Sequence, residues 1–268
     1  MTTMNASHIQ VKGINKIFKT ADKEVVALRD IHLEIPEGQF VCLLGPSGCG
    51  KSTLLNAIAG FSLPSSGEII ANAHVVTEPG PDRGMVFQEY ALFPWMTVEQ
   101  NIAFGLQIKG MNPAEITQRV SKLLDMLGLT DFRQRFPKDL SGGMRQRVAI
   151  ARVLALDSPI MLMDEPFGAL DALTRRNLQD ELLRIWADLK KTIIFVTHSI
   201  EEAIYLADRI IVMTYRPGTV KKDLLIDLPR LRDPSAPEFN ALKRELGQLV
   251  MEEQQRHHND ELKMAAVD

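Results

Sequence analysis

Two cysteines in 268 residues are too few for a disulfide framework. Cys42 lies on a predicted strand and Cys49 in the loop after it, and a bridge between them would distort that loop, so both are expected as reduced thiols. No apolar run approaches the roughly 18 residues that a membrane-spanning helix needs, and the opening MTTMNASHIQ has no basic start followed by an apolar stretch. Any membrane role is therefore expected to be peripheral. An excess of positive charge is missing too: the formal net charge is -3, which removes the electrostatic argument for a nucleic-acid partner. No internal repeat or low-complexity tract stands out. What is present, 45% hydrophobic and 24% charged residues, is an ordinary globular composition in a chain long enough to bury a sizeable core.

Short apolar runs end where polar residues begin: FVCLLG at 40–45, IMLMDE at 160–165, TIIFVTH at 192–198 and RIIVMT at 209–214. They read as buried strands. Helical patterns such as Leu178, Leu182, Ile185, Trp186 and Leu189 lie between them, and this alternation predicts a parallel α/β sheet. IQVKGINKIF and EVVALRDIHLEI instead alternate like antiparallel strands around the turn TADKE, predicting a small β layer. Residues 89–158 look mostly helical. There Asn112 and Pro113 open one helix, Ile116, Val120, Leu123, Leu124 and Leu127 form its stripe, and Gly128 closes it. After residue 214 the turn RPGT leads into VKKDLLIDL and an amphipathic helix carrying Phe239, Leu242, Leu246 and Leu249; the polar stretch EEQQRHHNDELK is expected to fray. The expected divisions are 1–88 and 159–222 as two parts of the α/β core, 89–158 as an inserted helical subdomain, and 223–268 as a C-terminal extension.

GPSGCGKST, residues 45–53, fits G-x-x-x-x-G-K-[ST] directly after a strand, the context that makes the motif specific. Gly45, Gly48 and Gly50 let the backbone around Ser47, Cys49 and Thr53 curl about phosphate oxygens, Lys51 reaches the β and γ phosphates, and Ser52 ligates Mg²⁺. IMLMDEP ends its strand in two acids, Asp164 to hold Mg²⁺ through water and Glu165 to polarise an attacking water. The bland alternative for Glu165 is an ion pair with a nearby Lys or Arg. His198 ends another strand; without context such a histidine is more often a satisfied core residue. Gln88 ends GMVFQ, where its amide would reach both Mg²⁺ and water. A second anion site is written in LSGGMRQRVAIAR, residues 140–152: Ser141 caps a helix, and Gly142 and Gly143 leave its N–H groups uncovered.

Taken in order, these residues resemble the ATP-binding cassette (ABC) ATPases. Lys51 and its loop look like the Walker A motif, Gln88 the Q-loop, LSGGM the signature, Asp164 and Glu165 the Walker B pair, GALD at 168–171 the D-loop and His198 the switch histidine. The resemblance implies a P-loop NTPase (RecA-like) core with an N-terminal antiparallel β layer and an inserted helical subdomain, with ATP and Mg²⁺ as ligands. It also implies that Phe18 stacks on adenine, and that two cassettes meet head to tail so that Ser141, Gly142 and Gly143 contact the γ-phosphate held by the other. One departure is Met144, which stands where the signature usually has Gln and removes an amide while leaving the backbone site.

LSGGMRQR together with ALFPWMTVEQNI and RPGTVKKDLLIDLPRLRD further resembles the ATPase subunits of nitrate, sulfonate and taurine importers. That likeness implies a peripheral protein on the cytoplasmic face of the inner (plasma) membrane, partnered by a second cassette, by integral membrane permease subunits and, indirectly, by a solute-binding protein. On it, Phe93, Pro94 and Trp95 help to form the cleft for a cytoplasmic helix of the membrane subunit, though an aromatic in a helical subdomain is otherwise core. The rival reading is a soluble cassette ATPase acting on nucleic acid or ribosomes. The stretch from Lys51 to Ser141 is too short for the coiled-coil insertion of the DNA-repair cassettes, and the ribosomal ones carry two cassettes per chain.

Overall fold

The structure, a computed structural model, describes residues 7–19 and 23–265. Thr20, Ala21 and Asp22 of the expected turn, and the opening residues 1–6, lie outside them. The chain divides into two compact units, residues 1–79 with 190–268, and residues 80–189.

In the first unit the antiparallel layer is present and larger than expected. β1 (Ser7–Lys19) pairs with β2 (Glu24–Pro36), and on its other side with β4 (Ser66–Ala71), which pairs in turn with β5 (His74–Val75). The register sets Ile9 opposite Ile35, Val11 opposite Leu33 and Ile14 opposite Ile31, so alternate apolar residues share one buried face. The second layer is built on β3 (Phe40–Leu44), parallel to β8 (Thr192–Thr197) on one side and to β9 (Arg209–Met213) on the other. β10 (Val220–Leu225) adds antiparallel to β9. β3 and β8 are buried at every position, which is why their sequences are continuous apolar runs.

Two helices of this unit carry unforeseen polar anchors. α6 (Ile200–Leu206) starts at Ser199, whose side chain accepts from the Glu202 N–H, and the Thr197 hydroxyl donates to Glu202 at 2.5 Å. The far end of α6 is closed by a buried arginine: Arg232 Nη1 donates to the carbonyls of Ile204 (2.5 Å) and Ala207 (2.6 Å). Burial, reinforced by neighbouring Arg230, lowers the Arg232 pKa to about 10. The stretch expected to fray is the continuation of α7 (Pro237–Ala265). Its buried stripe runs from Phe239 through Leu246 and Val250 to Glu253. Glu253 accepts from the Tyr215 N–H at 2.9 Å and from Lys221 at 2.7 Å, and His257 stacks on Tyr215 with ring centroids 3.8 Å apart. Tertiary anchoring, absent from the local pattern, extends the helix.

The second unit carries a parallel strand pair, β6 (Arg83–Val86) with β7 (Ile160–Asp164), and four helices. α2 (Val98–Ile108) begins with a reciprocal cap between Thr97 and Gln100. α3 (Pro113–Met126) has the expected Asn112 cap, Pro113 at its start and the buried stripe Ile116, Val120, Leu123 and Leu124. α4 (Gly142–Ala155) and α5 (Ala172–Leu189) complete it. Both cysteines are free and buried. Among the described residues no helix is long and apolar enough to cross a membrane.

Candidate nucleotide-binding site

In the first unit β3 feeds residues 45–50, which turn into α1 (Lys51–Ala59). The turn requires its glycines. Gly50 sits at φ 101°, and a Cβ there would lie 2.7 Å from Leu28 and 3.1 Å from the Ala27 carbonyl. Gly50 gives α1 no side-chain cap, and no acid occupies the first turn, so N–H groups and the positive helix end are left for an anion. Lys51 is only 4% exposed; its ammonium donates to the carbonyls of Gly45 (2.8 Å) and Pro46 (2.9 Å). Burial pushes the Cys49 thiol pKa up, with Lys51 pulling the other way, so this thiol stays neutral. Ser47 and Ser52 are exposed and Thr53 is half-buried.

Leu44 pairs with Thr197, so the phosphate loop and His198 leave the carboxyl ends of adjacent strands. His198 is exposed, not a core residue. Phe18, 44% exposed near the end of β1, has Lys16 over its ring at 5.2 Å.

In the second unit Val86 pairs with Met163, so β6 and β7 end together, with Gln88 two residues beyond the first and Asp164–Glu165 at the end of the second. Glu165 has φ 42°, a left-handed conformation that costs a β-bearing residue on the order of 1–3 kcal/mol and gathers at functional positions. Its carbonyl accepts from the Gly168 N–H at 3.1 Å. Downstream, Asp171 caps α5 by accepting from the Thr174 N–H at 3.0 Å, a bond that lowers its carboxyl pKa. Arg175 holds the 168–171 stretch by donating to the carbonyls of Phe167 and Leu170.

Ser141 caps α4 as expected, its hydroxyl accepting from the Met144 N–H at 3.3 Å. Gly142 and Gly143 pack on the 168–171 turn and α5: a Cβ would meet Leu170 at 3.2 Å in the first case and Thr174 at 2.6 Å in the second. Sequence reasoning missed what shapes the segment after Gln88. Arg152 of α4 donates to the carbonyls of Ala91 (2.7 Å) and Tyr90 (3.3 Å) and lies over the Phe93 ring, and burial lowers its pKa. Fully buried Asn101 accepts from the Phe93 N–H and donates to the Phe93, Met96 and Thr97 carbonyls. These clamps present Trp95, 70% exposed, on the surface, so it is not core.

A buried strand that enters a glycine loop, with a lysine folded into that loop at the mouth of a helix, defines a P-loop nucleotide hydrolase. Residues 28–168 match the family described as ABC transporter. The nitrate import ATP-binding protein NrtD of Synechocystis sp. is 47% identical over 238 residues, 89% of this chain and 90% of that protein. The taurine import ATP-binding protein TauB of Roseobacter denitrificans is 48% identical over 239 residues, 86% of this chain and 89% of that protein. Among solved structures, a dimeric post-hydrolysis state of the ATP-binding cassette MJ0796 bound to ADP and Pi matches with TM-score 0.73 and 34% identity, covering 82% of this chain and 100% of that one. The chain belongs to the ABC transporter family, as an ATPase cassette.

Proposed function

We propose that this chain is the ATP-hydrolysing subunit of an importer for a small anionic solute, of the nitrate, sulfonate or taurine kind, acting through separate membrane subunits. It would work at the cytoplasmic face of the plasma membrane, with a solute-binding protein delivering the solute. The observation that carries the ATP-hydrolysing part of the reading is the phosphate loop, with Lys51 buried between two loop carbonyls at an uncapped helix start, and the likeness to nitrate and taurine import ATP-binding proteins supports the importer part. Gly45, Ser47, Gly48, Cys49, Gly50 and Thr53 supply backbone or hydroxyl donors to the phosphates, Lys51 neutralises them, and Phe18 stacks on the base. Ser52, Gln88 and Asp164 present hydroxyl, amide and carboxylate oxygens, a hard donor set that fits Mg²⁺, which when bound would neutralise the phosphate charge.

Glu165 accepts a proton from water as that oxygen bonds to the γ-phosphorus and the bond to the β-phosphate oxygen breaks, giving ADP and phosphate. His198 donates to the γ-phosphoryl group, and its release frees that contact. Ser141, Gly142 and Gly143 close on the nucleotide of a second cassette, so ATP shuts the pair and hydrolysis reopens it. Exposed Trp95, with Phe93 and Pro94 beside it, offers the surface for a helix of the membrane subunit. The test is Glu165→Gln: ATP binding is retained while steady-state hydrolysis falls ~10²- to 10⁴-fold. Turnover within about threefold of wild type would remove Glu165 from the role of base.

A further inference from the structure

The phosphate loop is gripped from outside by a second turn, residues 214–219, between β9 and β10. Thr214 rigidifies this turn: its hydroxyl accepts from the Thr219 N–H (2.8 Å) and donates to the Pro217 carbonyl (2.9 Å). Gly218 ties it to β2, donating to the Ala27 carbonyl (2.9 Å) and accepting from the Arg29 N–H (3.0 Å). Its approach to the phosphate loop is so close that a Cβ on Gly218 would lie 2.2 Å from the Cys49 carbonyl oxygen. Tyr215 is fixed in turn by the hydrogen bond its backbone N–H donates to the Glu253 carboxylate and by its stack on His257.

From this platform Arg216 reaches over the loop, and its Nε donates to the Gly48 carbonyl at 3.0 Å. Gly48 has φ +77°, and Nη2 lies 3.6 Å from where its Cβ would be. The C=O and N–H of a trans peptide point in opposite directions. The bond that draws the Gly48 carbonyl outward therefore turns the Cys49 N–H into the loop, where it faces the Pro46 carbonyl at 3.4 Å, too long to satisfy it well. We propose that Arg216 is a positioning residue of the phosphate loop, fixing the Gly48–Cys49 peptide so that its N–H is presented to a phosphate oxygen. The inference rests on residues 45–53 being the phosphate site.

The test uses the full chain as wild type, Arg216→Ala, Arg216→Lys and Lys51→Ala, with a fluorescent ATP analogue for affinity, steady-state ATPase kinetics and thermal melting. Arg216→Ala is expected to melt within about 2 °C of wild type, and to weaken nucleotide binding and raise KM about 5- to 20-fold, as expected for loss of one charge-assisted bond. Its kcat should change less than about twofold, since the groups acting at the γ-phosphorus are untouched. Arg216→Lys should recover part of the affinity. Arg216→Ala binding ATP within about twofold of wild type, while Lys51→Ala loses it, overturns the positioning role alone. Normal binding by Lys51→Ala removes the phosphate-site reading and this inference with it. Affinity lost by both Arg216 variants only in proportion to a lowered melting temperature makes the contact structural and also overturns the proposal.

Discussion

The chain starts two helices with glycine, and the two starts are built differently. α1 follows a closed loop, with Gly50 in a left-handed conformation, no side-chain cap and a buried lysine ammonium bound to its own loop carbonyls. α4 follows an extended residue, Ser141, which is exposed and uses its hydroxyl to satisfy the Met144 N–H. Both ends expose N–H groups at the positive end of a helix. On the proposed function, the first would wrap an anion within one chain and the second would close on an anion held by another. What precedes the helix decides which, not the glycine content.

The largest effects should come from exchanging defects between the two starts. Lys51→Ala removes the loop's ammonium and should weaken ATP binding at least about 100-fold, loss of a strong charge-assisted contact. Ser141→Arg should leave ATP affinity within about twofold yet abolish the closed dimer. Combining one chain of each kind rebuilds a single complete site if the signature acts in trans, so mixed dimers should occlude ATP where neither homodimer does. Glu165→Gln can be added to both to hold the closed state. Ser141→Arg weakening ATP binding as much as Lys51→Ala would mean that both starts serve one nucleotide, and the contrast would collapse.

Smaller effects should follow from crowding the glycines. Gly143→Ala puts a Cβ 2.6 Å from the Thr174 methyl. It should cost about 1–3 kcal/mol of unfolding free energy in denaturant titrations, and Thr174→Ser in the same chain should restore more than half. Gly50→Ala should have no such rescue by trimming Leu28, because the Ala27 backbone carbonyl at 3.1 Å remains and φ is positive. Rescue at both positions would show the phosphate loop to be as adaptable as the signature.

The smallest effect on stability should be that of Trp95→Ala. An exposed residue of this kind costs within about 0.5 kcal/mol, while co-purification with membrane subunits should weaken. A loss of about 3–5 kcal/mol would instead mark the indole as core.

Much of this was legible because each motif sits where an apolar run stops. FVCLLG, IMLMDE and TIIFVTH contain strands in the structure, so the strand-end positions of the phosphate loop, Glu165 and His198 could be read from where each apolar run stops. The Ser141 cap and the Asn112–Pro113 start were readable for a similar reason, since caps are local. Residues whose partners are far away in sequence were not readable. Arg152 lies 61 positions from the Ala91 carbonyl it binds, and Arg216 lies 168 from Gly48. Glu253 and His257 look like solvated tail residues until Tyr215 and Lys221 are brought to them. β4 and β5 were unread because SGEIIA and HV are too short to show a period. The Ser199–Glu202 cap of α6 was written in the sequence as S-x-x-E and went unread.

The bond between the Tyr215 amide and Glu253 gives the molecule a built-in clock. That amide should exchange its hydrogen with solvent when the part of α7 around Glu253 lifts away, so its deuterium uptake is expected to time that opening. Because Tyr215 immediately precedes the arginine that binds the phosphate loop, a nucleotide that tightens the loop should slow this one amide, reporting occupancy from outside the site without an attached dye.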